Sequence, residues 1–144
     1  MTAGYPASPE LERFARETLG CNCAPEVFRQ VATDLATLPG LSAPVSRISI
    51  GGRLLIYLIP LNGPAPALER IGDWAAAGLA ERERRGMNRV RLVLGLPQVN
   101  PAETAAIHAA FAQFQAGDDR LHLHLLSAAS LAGVLAAPHL GAAP

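Results

Sequence analysis

Lysine is absent from the 144-residue chain, and all 12 basic residues are arginines. Without a lysine amine there is no Schiff-base nucleophile, no lysine general base and no P-loop lysine. Pyridoxal-phosphate enzymes and standard P-loop nucleotide hydrolases are therefore excluded. Charge of either sign is scarce, at 17% of residues against the quarter usual in a soluble domain. The 12 acidic residues cancel the 12 basic ones, so no overall field gathers nucleic acid or an anionic membrane, and neither is expected as a partner. Aromatics make up only 5%, and none interleaves with the arginines to stack bases. No apolar run approaches the ~20 residues of a membrane span, and MTAGYPASPELERF lacks a basic stretch followed by an apolar one. The expected location is the cytoplasm. Cysteine occurs twice, as Cys21 and Cys23, and in that compartment both are expected as thiols.

What the chain does have is apolar mass. Half its residues are hydrophobic, which excludes a disordered chain and suffices for one domain of ordinary size without disulfides. The expectation is a single α/β domain over 1–144, with 1–7 and 138–144 frayed at the ends. Because so little charge covers the surface, some apolar area is left for a protein partner.

Caps and periodicity place the elements. Ser8 as N-cap, Pro9 as first helical residue and Gly20 as left-handed stop bound a first helix that buries Leu11, Phe14, Ala15 and Thr18. Pro25 opens a second helix, in which Val27, Val31, Leu35 and Leu38 recur at helical spacing. A strand over Val27 to Leu35 is the weaker alternative, since Arg29 and Thr33 would share a face with the valines. Ser46–Ile50 and Arg53–Ile59, joined by Gly51-Gly52, read as a hairpin. Its first arm alternates like an edge strand, and its second is apolar throughout, like a central one. A long helix follows, with a stripe of Leu68, Ile71, Trp74, Ala75, Gly78 and Leu79. Next come a strand over Arg89–Gly95 and a helix capped by Asn100-Pro101-Ala102-Glu103 that buries Ile107, Ala110, Phe111 and Phe114. A strand over Arg120–Leu126 and a short helix capped by Ser127 and ended by Pro138 complete the chain. The β-hairpin followed by βαβαβ crossovers implies a mixed sheet of about four strands with helices on both faces.

Cys21-x-Cys23 is the leading chemical feature. A thiol just before a helix start has its thiolate stabilised by unpaired N–H groups and by the helix dipole, and Cys23 is better placed for this than Cys21. Two thiolates one residue apart grip zinc or another thiophilic metal, but they do not fill its four positions. The remaining ligands must come from histidines or from a second copy of the motif in a homodimer. The pair is a poor internal disulfide because the ring it closes is strained. As a bland alternative, both cysteines simply fill a helix junction.

His122 and His124, at i and i+2 on a strand, leave the same face with the spacing of H-x-H metal ligands. They equally suit the more solvated side of an edge strand. His108 and His139 read as surface residues. Asn62-Gly63, Gln98-Val99-Asn100 and Ser127 to Ser130 lie at strand carboxyl ends, where open α/β sheets bind ligands, but they read first as turns and caps. Arg82, Arg84, Arg85, Arg89 and Arg91 form a locally positive run, diluted by Glu81 and Glu83, that reads as a solvated helix end.

Leu19-Gly20-Cys21-Asn22-Cys23-Ala24-Pro25-Glu26-Val27-Phe28, with Gly52-Arg53-Leu54-Leu55-Ile56-Tyr57 downstream, resembles a family of small uncharacterised prokaryotic proteins with an N-terminal LGCxCPxEVF-like signature. Here Ala24 stands between the second cysteine and the proline. The resemblance implies no activity. The residues point to thiol-based metal binding or redox response through Cys21 and Cys23, with His122 and His124 as further candidate metal ligands. The competing reading is a non-catalytic interaction domain with packing cysteines. A third is an enzyme with Cys23 as nucleophile and a histidine as its base.

Overall fold

The strand Leu54–Pro60 (β3) is buried on both faces along six consecutive residues, and the architecture is arranged around it. The computed structural model describes residues 9–20, 25–115 and 117–135. The sheet has five strands in the order β1-β2-β3-β4-β5, where β1 is Val31–Ala36, β2 Val45–Ile50, β4 Arg89–Leu96 and β5 Leu121–Ser127. The first three strands pair antiparallel, and β3, β4 and β5 run parallel. Helices α2 (Ala65–Arg85) and α3 (Pro101–Gln115) supply the two crossovers.

Alternation along each strand divides the core in two. On one face Leu55, Tyr57, Ile59, Leu92 and Leu94 pack with Ile71 and Trp74 of α2 and with Ile107 and Phe111 of α3. Trp74 has no exposed surface, and its indole N–H donates to the Pro39 carbonyl at 2.9 Å. On the other face Ile48, Ile56, Leu58 and Val93 pack with Leu11, Phe14 and Ala15 and with Leu131 of α4 (Ala128–Leu135). Helices therefore cover both faces, as expected. Gly95 is where α4 approaches most closely, since a Cβ there would lie 2.5 Å from Leu131 Cδ2.

The first helix begins as α1 (Pro9–Arg13) and continues as a π-helical turn over Phe14–Thr18, closed by the Leu19 N–H on the Phe14 carbonyl. Gly20 follows at φ +71. Leu11, Phe14 and Ala15 are buried as the periodicity predicts, whereas Thr18 is exposed. Asn100 caps α3 through the N–H groups of Ala102 and Glu103, and Ser127 caps α4 through the N–H of Ser130. Leu68 and Phe114, expected in their helices' buried stripes, are 44% and 48% exposed. Phe114 instead lies over Gly72 of α2, in space a side chain there would occupy. The proposed terminators Ser8 and Pro138, and the ends 1–7 and 138–144, fall outside the described residues.

The expected second helix does not form. Pro25–Arg29 makes one 3-10 turn, and Val31–Ala36 is a strand, the fifth of the sheet. The helical stripe would bury Leu35, which is instead 65% exposed. The deciding interactions are tertiary. As an outer strand β2 would leave a row of main-chain donors and acceptors unpaired, and β1 satisfies them. Asp34 of β1 lies opposite Arg47 of β2 and takes two hydrogen bonds from its guanidinium, at 2.7 and 2.9 Å. Arg85 of α2 reaches the same carboxylate at 3.1 Å and also pairs with Glu81, which lies 3.6 Å from Arg47. Arg84 pairs with Glu81 too. Part of the arginine run is therefore a clamp between helix and strand edge. It makes β1 the outer strand and β2 an interior one, correcting the expectation for the hairpin's first arm.

Desolvation pushes the Asp34 pKa up, but Arg47 and Arg85 outweigh it and hold the carboxyl below its usual range. A depressed carboxylate contributes stability that is present above the unfolded value of about 3.9 and is lost as pH falls through the folded value. Asp34→Asn is expected to cost about 1 kcal/mol at neutral pH, because the site is partly solvent-screened. That cost should shrink in urea titrations below about pH 4. Gly95→Ala is expected to destabilise by about 1–3 kcal/mol through overpacking against Leu131, read as a lower urea midpoint with unchanged slope.

Candidate functional site

Three polar side chains leave the core face that α1 and α4 cover. Arg91 sits third along β4, in a strand otherwise buried and apolar from Val90 onward. Its register partner on β5 is His122, and His124 lies one pair further along. The i, i+2 histidines therefore do share a face, and they share it with an arginine. Arg91 is only 4% exposed. Its Nη1 donates to His124 Nε2 at 2.9 Å, while its Nε is buried with no hydrogen-bond partner. None of the ion pairs among the described residues reaches Arg91.

A guanidinium cannot shed its proton, so a buried one without an anion is costly. Burial, followed by repulsion from Arg89, works against the Arg91 charge. The imidazoles respond by staying neutral. Burial, then Arg91, His122 and His108, push the His124 pKa down to about 4. Burial and Arg91 also lower His122, opposed by a hydrogen bond that the ring donates to the Asp119 main chain and by the Asp119 charge. The result is one fixed positive charge and two neutral rings, and among the described residues no carboxylate pairs with Arg91. Such a centre favours an anion. His124 Nε2, one of the proposed metal-ligand atoms, is here the acceptor for Arg91. No group of three His, Cys, Asp or Glu side chains arranged to hold a metal occurs among the described residues.

A cavity of about 400 Å³ opens at the outer edge of β5, walled by His124, Leu125, Thr104 and His108 of α3, and Thr18. Cys21 and Cys23 lie outside the described residues, so their geometry relative to the arginine is not part of this site. Chain order alone puts Cys21 three residues after Thr18. The element expected to support the thiolate of Cys23 by its dipole is the 3-10 turn of five residues, and a dipole that short contributes little. Of the strand-end loops, Asn100 and Ser127 are engaged as helix caps. His108 is exposed, as expected, and His139 falls outside the described residues.

No family model, curated protein or solved structure matches the chain. The signature in Leu19–Phe28 therefore rests on its own residues.

In sequence, Arg91 stands as the last member of a charged run expected to be solvated. The signal that separates it from that run is its position: an arginine inside Val90-Arg91-Leu92-Val93-Leu94, a strand apolar on both faces, cannot reach water as a helix-end arginine does.

For a histidine with a depressed folded pKa, the unfolded state takes up protons first. Stability is therefore full above the unfolded value of about 6.5 and falls as pH drops toward the folded value. The His124 ring is expected to remain neutral to about pH 4 in an NMR titration. His124→Gln should flatten the stability loss between about pH 6.5 and 4; a ring titrating near 6.5 would contradict the assignment.

Proposed function

We propose that the protein works through the thiols of Cys21 and Cys23, used as thiolates for redox response or for binding a thiophilic metal such as zinc. One observation carries this reading: Arg91 is 4% exposed and meets no carboxylate among the described residues. A buried cation calls for an anion, and a cysteine thiolate is a small, desolvation-tolerant one whose pKa falls beside a positive charge. Support also comes from the π-helical turn at Phe14–Thr18 directly before the cysteine pair, a geometry frequent at functional sites. Thr18 walls the same cavity as His124.

In the redox form, a cysteine thiolate attacks one sulfur of a small-molecule or protein disulfide. A mixed disulfide forms, the old sulfur–sulfur bond breaks, and the other sulfur leaves as a thiolate. In the metal form, the two thiolates supply half a tetrahedral zinc site, and the other ligands come from a partner or a second copy. A non-catalytic interaction domain is the second reading, favoured by the exposed, nearly charge-free outer face of α3.

The test is alkylation rate against pH for the reduced protein, with metal content measured alongside. At least one thiol is expected to titrate about one to two units below the ordinary 8.5. Arg91→Met should move that thiol back toward 8.5. Stoichiometric metal lost in Cys21→Ser/Cys23→Ser selects the metal form. Ordinary titration in both proteins together with no bound metal would sink the proposal.

A further inference from the structure

Asp34, Arg47 and Tyr57 stand opposite one another on β1, β2 and β3 and form one row across the sheet. By alternation their side chains leave the face that α2 covers, where Tyr57 belongs to the core. The helix meets this row with Ala77, Ala80, Glu81 and Arg84, spaced i, i+3, i+4 and i+7 along one side. Two of those four are alanines, so the helix does not fill the space above the row. A cavity of about 390 Å³ remains there, with Tyr57 and Arg47 on the sheet side and the end of β1, Ala36 to Leu38, along its edge.

Two hydrogen-bond donors that line this cavity lack acceptors. Arg47 gives its Nε and Nη2 to Asp34, at 2.9 and 2.7 Å. Its Nη1 lies 3.6 Å from Glu81 Oε2, and that nitrogen makes no hydrogen bond among the described residues. Tyr57 is 1% exposed, and its hydroxyl donates to no acceptor among the described residues. Asp34 foremost, and the Tyr57 hydroxyl oxygen against the cost of burial, hold the Arg47 guanidinium in its charged form. An oxygen whose lone pairs face a cation turns its O–H away from that cation, which leaves the Tyr57 proton for a group in the cavity.

Charge around the cavity is unequal. Arg47, Arg84 and Arg85 are three cations set against two carboxylates, Asp34 and Glu81. One further negative charge balances the cluster, and a second is repelled by the same two carboxylates. Ala36, Leu38, Ala77 and Ala80 make the rest of the lining largely apolar. Few convergent polar groups in an otherwise apolar cavity of this size is the pattern of a small-molecule site.

The geometry points to this cavity as a binding site for a small organic monocarboxylate, whose oxygens accept from the Tyr57 hydroxyl and Arg47 Nη1 while a short apolar body lies against Ala36, Leu38, Ala77 and Ala80. Arg84, with its side chain 71% exposed, stands at the rim and adds its charge to the entry. The single surplus charge selects a carboxylate over a phosphate dianion, and the unmet donors select an acceptor over an ammonium. The site is built from the fold and does not rest on the thiol reading.

The test is a titration of the full chain in reductant with butyrate, followed by NMR at the main-chain amides, with butan-1-ol, butylamine and inorganic phosphate as parallel probes. Butyrate is expected to shift the Ala36, Thr37, Ala77 and Ala80 amides along one saturating curve in the millimolar range, as suits so small a ligand. The other three probes should bind at least fivefold more weakly. Tyr57→Phe keeps the ring and removes the donor, and it is expected to weaken butyrate about tenfold with unchanged circular dichroism. Ala80→Leu, at an exposed helical position, narrows the cavity and should abolish saturation without unfolding the chain. Cys21→Ser/Cys23→Ser should bind butyrate as the unmodified chain does. Absence of saturable shifts at these amides overturns the proposal. So does phosphate, butylamine or butan-1-ol binding as tightly as butyrate, butyrate binding unchanged in both Tyr57→Phe and Ala80→Leu, or binding lost with the cysteines.

Discussion

Burial of a strand on both faces is the constraint from which the rest follows. Leu54 to Ile59 of β3 is apolar at every position and exposes almost nothing. Such a segment has no solvated side, so each face needs its own covering layer and each edge a neighbouring strand. β2 and β4 supply the neighbours. α2 and α3 cover one face, and α1 with α4 covers the other. The glycines at Gly78 and Gly95 fit this account. Each is where a helix comes so close that a side chain would press on Val90 or Leu131.

The same constraint makes Arg91 conspicuous. In a layer built to exclude water, a permanent cation can only be accommodated by an anion or by neutral acceptors. His124 provides one acceptor, and burial followed by the Arg91 charge drives its pKa down to about 4. Elsewhere the chain handles its arginines by pairing. Arg47 and Arg85 share Asp34, and Arg82 holds Asp118 at 3.0 Å. Balanced networks of this kind fix elements in place, whereas Arg91 meets no carboxylate among the described residues.

Much of the fold was legible because its signals are local. Gly51-Gly52 between two β-rich arms, Asn100-Pro101 before a helix and Ser127 before another each specify backbone geometry within four residues. The site was legible in halves. The i, i+2 histidines were visible from strand alternation, but their neighbour Arg91 is 33 residues from His124, and only the parallel register of β4 and β5 brings them together. The segment Val27 to Leu38 misled because its apolar residues satisfy helical spacing and its β-branched residues also suit a strand.

By itself, then, the sequence determined the α/β class, the covering of both faces, the central place of β3 and the exclusion of lysine chemistry, since each depends on composition or on patterns within one element. The tertiary structure alone decided that Val31–Ala36 is a strand, that the arginine run divides into a surface clamp and one buried cation, and that β5 is the last strand of the sheet among the described residues. Those outcomes depend on which hydrogen-bonding groups and charges are still unsatisfied after the central strands have paired, and that is a property of neighbours in space rather than of neighbours in the chain.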